Sequence, residues 1–118
     1  MRVQIHTDRH LEAPDEMARQ FVAVVEAAMS RFGDKITRVE VHLSDVNGNK
    51  SGGDDKRCLL EARLAGLRPI AVSHQAATLA LAVDGATEKL ERSLDSTLGR
   101  LASRSRGGTS DRGGPAPA

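Results

Sequence analysis

The chain has no tryptophan and no tyrosine, and its aromatic side chains besides histidine are two phenylalanines. Proteins that read single-stranded nucleic acid stack the bases on exposed aromatic rings. The scarcity of such rings therefore argues against that mode of binding. With 118 residues, 39% of them apolar, the chain is long enough for one domain, whose core must consist mainly of aliphatic side chains.

Other absences bear on the cellular location of the protein. A single cysteine, Cys58, cannot form an internal disulfide. No apolar run approaches the roughly 20 residues of a membrane-spanning helix, and the N-terminus lacks the hydrophobic stretch of a secretory signal. We therefore expect a cytoplasmic protein with no membrane contact.

The composition changes abruptly near Ser103. Residues 103–118 contain four of the 11 glycines and two of the four prolines, and apart from proline their apolar side chains are alanines. Such a segment cannot bury enough surface to offset the entropy lost on ordering, which predicts a disordered tail. The tail holds three of the 17 basic and one of the 16 acidic residues, leaving 14 basic and 15 acidic residues in the predicted domain, 1–102. A body that is not basic overall can bind RNA only if its charges are segregated.

Hydrophobic periodicity alternates between the patterns typical of strands and of helices. Period-two patterns predict four strands, around Val3–Ile5, Val39–Leu43, Cys58–Leu64 and Ile70–Val72. Helical spacing predicts a first helix from Pro14 to Phe32, ended by Gly33, and a second from about His74 to Leu101.

The predicted element order is β-α-β-β-β-α. The first crossover should pair strands one and two in parallel, the later strands should pair antiparallel, and both helices should cover one face of the sheet. This is an α+β fold, a two-layer sandwich with a four-stranded mixed sheet. The polar half of each alternating strand requires the other face to remain in contact with water.

The connection DVNGNKSGGDDK, from Asp45 to Lys56, combines several potential metal ligands with glycines. A calcium loop of the EF-hand type needs glycine at position six and a bidentate glutamate at position twelve, but these are Lys50 and Lys56. The GGDDK string resembles the turn of diguanylate cyclases without the length or closing aromatic residue of that family. We therefore interpret the stretch as a solvated hairpin connection.

Few residues suggest catalysis or metal binding. Cys58 lies on the apolar half of its strand, as a small core side chain would. His6 and His42 lie on the polar halves of the first two strands, and Glu40 or Glu61 could supply a third ligand beside them. Exposed histidines on sheets are usually surface residues, and there is no supported catalytic triad or phosphate-binding glycine loop. We therefore predict no enzyme activity, no cofactor and no metal, and a metal-dependent hydrolase is the weakest alternative.

The remaining signal is basic. Arg31, Lys35 and Arg38 surround the turn between the first helix and the second strand. Positions 89, 92, 96 and 100 share one face of the second helix, where Lys89, Arg92 and Arg100 are cationic, with three acidic residues beside them: Glu88, Glu91 and Asp95. On composition alone, a solvated face of mixed charge is the favoured interpretation.

Three segments in the same order along the chain carry a family resemblance. They are 7–12 (TDRHLE), 34–41 (DKITRVEV) and 87–94 (TEKLERSL). Together they resemble the ribosome hibernation promoting factors, also called sigma-54 modulation proteins or ribosome-associated translation inhibitors. The resemblance covers residues 1–102. It implies a non-enzymatic factor that binds the small ribosomal subunit near the tRNA and mRNA sites and inhibits translation, with a fold similar to double-stranded RNA-binding domains.

The resemblance also implies a set of ribosomal RNA contacts. Five residues match basic positions of the family: Arg9, Lys35, Arg38, Lys89 and Arg92. Helical spacing adds Arg100. The chain departs from the family at 93–99, where many members are basic, and it has no second domain of the kind found in long, dimer-forming members.

The partner implied is therefore ribosomal RNA, not DNA, and we expect a monomer off the ribosome. Whether the factor pairs ribosomes or inactivates single ones stays open. A non-enzymatic protein-binding α+β adaptor with the same fold is the alternative, since the body is nearly neutral.

Overall fold

The computed structural model describes residues 1–8, 11, 13–46 and 56–107, with side chains up to residue 102. The chain forms β1 (Arg2–Thr7), α1 (Asp15–Met29), a 3-10 segment (Ser30–Lys35), β2 (Ile36–Asp45), β3 (Lys56–Leu64), β4 (Ile70–Ala76) and α2 (Leu79–Gly107). The predicted order of strands and helices is confirmed.

The four strands form one mixed sheet in the order β1-β2-β3-β4. β1 pairs with β2 in parallel, in a register that aligns Val3 with Val39. β2 with β3 and β3 with β4 pair antiparallel, and a bulge interrupts the register between Ile36 and Arg38. Because the side chains of paired residues lie on the same face, this register decides which side chains meet.

One face of the sheet carries the core, under both helices. The strand residues that are fully or almost fully buried occur at alternate positions: Val39, Val41 and Leu43 in β2, and Cys58, Leu60 and Ala62 in β3. The helices bury Phe21, Val25 and Met29 from α1, and Val83, Leu90 and Leu94 from α2. α2 lies against β3 and β4, and α1 contacts β1 and α2. The α+β two-layer architecture is confirmed, and the polar strand residues project from the opposite face.

The first helix ends earlier than its periodicity predicts. The α-helical turns stop at Met29, and the chain continues as the 3-10 segment through Phe32, which is still buried. Gly33 has a φ of 63°, a backbone conformation that side chains with a Cβ disfavour, and the chain turns there toward β2. The apolar spacing continues across both kinds of helix because Phe32 packs into the same core.

The second helix starts later than predicted. His74, predicted near its first residue, lies within β4, whose core-facing positions are Ile70, Val72, His74 and Ala76. His74, the third of these four residues, is polar, so the sequence does not show that the alternation of the strand continues beyond Val72. The helix begins only after Thr78, whose Oγ1 accepts a hydrogen bond of 3.1 Å from the backbone N–H of Leu81, as an N-cap does.

The C-terminal end of α2 extends five residues into the segment predicted as a tail. Residues 108–118, the remainder of that segment, lie outside the described residues, as do positions 47–55 of the hairpin connection. At the base of the hairpin, the Nζ of Lys56 donates a hydrogen bond of 3.3 Å to Oδ2 of Asp45. An ammonium group therefore contacts the carboxylate that would be the first ligand of a calcium loop.

Gly85 explains how His74 fits beneath α2. A Cβ built on Gly85 would overlap the imidazole ring of His74, so the bare helix backbone packs directly against the ring. Glycine in a helix costs about 1 kcal/mol relative to alanine. At position 85, the contact with His74 requires glycine despite this cost.

We expect Gly85→Ala to destabilise the protein by about 1–3 kcal/mol, because overpacking against His74 outweighs the gain in helix propensity. Gly99 lies in the same helix, and a Cβ there would meet nothing within 4 Å. Gly99→Ala should therefore stabilise the protein by up to about 1 kcal/mol. Urea denaturation of both variants measures the two effects, and stabilisation of equal size in both would show that the contact with His74 is unimportant.

Cys58 is fully buried, and its burial raises the pKa of the thiol to about 12. At pH 8 the reactive thiolate is then on the order of one part in ten thousand. We expect a thiol reagent to modify Cys58 only as the chain unfolds. Gln20 is exposed on α1, so a Gln20→Cys variant should react with one equivalent at once and the second only in denaturant. Rapid reaction of native wild-type protein would contradict this.

Candidate nucleic-acid interface

The cationic stripe of α2 consists of Lys89, Arg92 and Arg100, all of them exposed. The Nζ of Lys89 donates a hydrogen bond of 2.9 Å to the backbone oxygen of Ser73 in β4. The guanidinium of Arg100 donates a hydrogen bond of 2.7 Å to the Oγ of Ser96, one helical turn earlier. The stripe therefore runs along α2 on the side of β4, and its side chains are exposed, although Lys89 and Arg100 each make one hydrogen bond within the protein.

Two of the three acidic residues beside this stripe, Glu91 and Asp95, contact a partner that is distant in sequence. Arg31, in the 3-10 segment, donates two hydrogen bonds of 2.8 Å to the carboxylate of Asp95, and its Nε lies 3.9 Å from Glu91. The guanidinium also lies over the ring of Phe32, 4.2 Å from its centroid.

These contacts change the electrostatics of α2. The hydrogen bond from Arg31 is the main cause that lowers the pKa of Asp95, and the same bond raises the pKa of Arg31. Arg31 thus neutralises acidic charge next to the stripe, so that less of it opposes the field of Arg92 and Arg100. Sequence analysis placed Arg31 among the cations around its turn, but its guanidinium is committed to this pair.

A second basic group lies at the end of the sheet where β2 begins and β3 ends. The parallel register places Arg2 beside Arg38, and the antiparallel register places Arg63 on the other side of Arg38. Lys35, the last residue of the 3-10 segment before β2, is exposed, and its backbone oxygen accepts a 3.0 Å hydrogen bond from the backbone N–H of Ala65. Arginines from three neighbouring strands therefore meet in one row on the open face.

The turn between β3 and β4 adds one more cation at this end. Arg68 and Arg100 line an open cavity of about 350 Å³, together with residues of the turn and of α2. We define the basic rim as the six residues Arg2, Lys35, Arg38, Arg63, Arg68 and Arg100. Because Arg68 and Arg100 line the same cavity, the C-terminal part of the stripe of α2 reaches the turn between β3 and β4, at this end of the sheet.

The structure thus brings together some of the predicted contact residues and separates others. Lys35, Arg38 and Arg100 belong to the rim. Arg38 lies on the open face of the sheet, whereas Lys89 and Arg92 lie on α2, which covers the other face. Arg9 lies outside the described residues. Arg38 is the least available, because its guanidinium contacts Oε2 of Glu40 at 2.8 Å and its buried Nε has no hydrogen-bond partner in the described part of the chain.

Sequence analysis missed Arg2, Arg63 and Arg68. Arg2 and Arg63 lie on the polar halves of their strands, but their meeting depends on the register across three strands, which a single sequence does not display. Arg68 lies in a turn that the sequence marked only by Gly66 and Pro69. The row of arginines would become visible only after the strands were aligned in register.

The open face also carries a cluster that could hold a metal ion. His6, Glu40 and His42 each present one ligand atom, and these atoms lie within 4.8 Å of one another. Of the two carboxylates considered from the sequence, Glu40 is the one that completes the cluster.

In the described part of the chain, no helix is long and apolar enough to cross a membrane.

Comparison with known proteins agrees with this architecture. The N-terminal domain of Protein Y from Thermus thermophilus is 25% identical, with a TM-score of 0.60 that covers 81% of this chain and 94% of that one. A ribosomal subunit interface protein from Coxiella burnetii is 18% identical and has the same fold, with a TM-score of 0.63, covering 84% and 99%.

No curated protein sequence matches the chain. The family model described as sigma 54 modulation protein / S30EA ribosomal protein matches residues 4–102. This span includes every described strand and helix except the first residues of β1 and the end of α2. The chain belongs to the sigma 54 modulation protein / S30EA ribosomal protein family.

Proposed function

We propose that this protein binds the small ribosomal subunit at the subunit interface, near the tRNA and mRNA sites, and inhibits translation by occupying that space. The family associates the chain with the ribosome and is not a class of enzymes. The similar solved proteins are described as Protein Y and as a ribosomal subunit interface protein. The observation that carries the proposal is that cations of three strands, of the turn after β3 and of the C-terminal part of α2 lie at one end of the sheet, where Arg68 and Arg100 line one cavity.

The arrangement suits folded RNA better than a single strand. The described surface presents guanidinium and ammonium groups on a rigid sheet and helix, and these groups bind phosphates without reading bases. Arginine forks such as those of Arg68 and Arg100 can bind phosphate oxygens in pairs. A surface of this kind recognises the spacing of phosphates in structured ribosomal RNA.

We also propose that residues 1–102 form the ribosome-binding domain, with the tail 103–118 outside it. The protein then acts in the cytoplasm, where ribosomes are, and as a monomer when it is free. Arg9, whose position follows from the family resemblance alone, belongs to the proposed contact set together with Lys35, Arg38, Lys89, Arg92 and Arg100. The DNA duplex and the membrane are not proposed partners.

Charge reversal on the stripe tests the RNA contact. We expect Arg92→Glu/Arg100→Glu to weaken co-sedimentation with small subunits by at least about 10-fold, because two phosphate contacts are lost and repulsion replaces them. The slope of log affinity against log salt should become shallower by about 2. Both residues are exposed, so thermal unfolding should change little.

Arg19 provides the matched control. It is an exposed arginine near the start of α1 and lies outside the rim and the stripe. Arg19→Glu should leave binding within about 2-fold of wild type, since only long-range electrostatics change. Equal losses in both variants, or wild-type binding by the double variant, would contradict the proposed surface and favour a protein-binding adaptor.

Inhibition of translation requires a separate test. Added to a reconstituted translation reaction, the wild-type protein should lower the rate of synthesis, and Arg92→Glu/Arg100→Glu should require at least about 10 times more protein for the same effect. Messenger RNA and initiator tRNA bound beforehand should slow association with the subunit. Binding that neither competes with them nor lowers synthesis would place the protein elsewhere on the ribosome.

A further inference from the structure

The histidine cluster on the open face is created by the pairing of β1 with β2. The parallel register places His6 directly beside His42, and Glu40 lies two residues before His42 on the same face of β2. Neighbouring strands are about 4.8 Å apart, and alternate residues of one strand project from the same face. Three ligand-bearing side chains therefore converge from two adjacent strands, which is a rigid support for a metal site.

One pair of the three ligand atoms already has the spacing that a tetrahedral ion requires. The two imidazole rings are stacked, with centroids 4.8 Å apart and planes inclined by 17°. The Nε2 atom of His42 lies 3.3 Å from Oε1 of Glu40, and that of His6 lies 3.9 Å from the same oxygen. Ligands bound to zinc at about 2.0–2.1 Å lie about 3.3 Å from each other. One edge of the site has this length already. The imidazole rings are stacked, so both must rotate about their side-chain torsions for their Nε2 atoms to converge on one ion.

Arg38 fixes the orientation of the carboxylate. Its guanidinium contacts Oε2 of Glu40 at 2.8 Å, which leaves Oε1 directed at the two imidazoles. Hydrogen bonds to the outer atom of a metal ligand commonly hold that ligand in place. Glu40 is largely buried, whereas the side chains of His6 and His42 are 49% and 43% exposed. The site is thus anchored on one side and open to water on the other.

We propose that His6, Glu40 and His42 bind one divalent transition-metal ion, with Zn²⁺ as the best match, and with water completing the coordination. Two imidazole nitrogens and one carboxylate oxygen suit Zn²⁺, Ni²⁺ or Cu²⁺. Mg²⁺ and Ca²⁺ prefer sets made of oxygen alone. This assignment revises the sequence-based prediction that the two histidines are surface residues without a metal, because the register that brings them to Glu40 becomes visible only in the fold.

Metal titration of the full chain, without ribosomes, tests the proposal. Equilibrium dialysis should give one Zn²⁺ per chain, and a Co²⁺-loaded sample should show the visible absorption bands of a nitrogen- and oxygen-ligated low-symmetry ion. His42→Gln and His6→Gln should each weaken Zn²⁺ binding by at least about 10-fold, the loss typical of removing even an outer partner of a metal ligand. Mg²⁺ at the same concentration should not compete.

His10→Gln is the control, since it removes a histidine from the chain and leaves all three proposed ligands in place. It should leave the affinity for Zn²⁺ unchanged. Because His6 and His42 lie on the open face, His6→Gln and His42→Gln should each keep the thermal unfolding temperature of wild type in the presence of a chelator. Unchanged Zn²⁺ affinity in His42→Gln, or an equal loss in His10→Gln, would overturn the site. Ribosome binding does not enter this measurement, so its failure and that of the proposed function are separable.

Discussion

Burial of one face of the sheet beneath two helices is the constraint on which the rest of the structure depends. Val39, Val41 and Leu43 of β2 are almost entirely inaccessible to solvent, as are the side chains facing them from β3. A shift of one residue in the register would exchange these side chains for charged ones, at a cost of several apolar burials. The register is therefore fixed by the core. Because it is fixed, the positions of Arg38, Glu40 and the other outward side chains are fixed as well.

This dependence connects the hydrophobic core with the charged surface. A body that carries 14 basic and 15 acidic residues has no net attraction for RNA. The fold separates the charges instead, by aligning arginines of three strands at one end of the sheet and by pairing Arg31 with the acids of α2. The proposed interface is thus a product of strand register and helix placement more than of composition. Polar residues on the open face divide in the same way, into a basic row and a neighbouring histidine cluster.

The sequence predicted those features that depend on local periodicity. The core positions of β2 and β3 and the stripe of α2 follow from spacings of two and of three to four residues, and both are readable within a short window. The late start of α2 was hidden because His74, a polar residue, occupies a core-facing position, and Gly85, the residue that makes room for it, lies 11 positions further on.

Features that depend on contacts between distant segments could not be predicted in this way. Arg31 and Asp95 are 64 positions apart, and nothing near either residue identifies the other as its partner. The same holds for His6 and His42, which the sequence placed on strands that might be neighbours without fixing which residues face each other. Residues 47–55, predicted as a hairpin connection, lie outside the described part of the chain, and that interpretation stays a prediction.

The bond from Lys89 to the backbone of Ser73 has a consequence for solubility. β4 is the last strand in the order of the sheet, and a strand in that position offers backbone groups that a second molecule could pair with. By occupying one of these carbonyl oxygens, the ammonium of Lys89 both caps the border of the sheet and sets a positive charge there. The side chain proposed to bind phosphate thereby also places a positive charge where a second copy would have to pair, which disfavours strand-to-strand association.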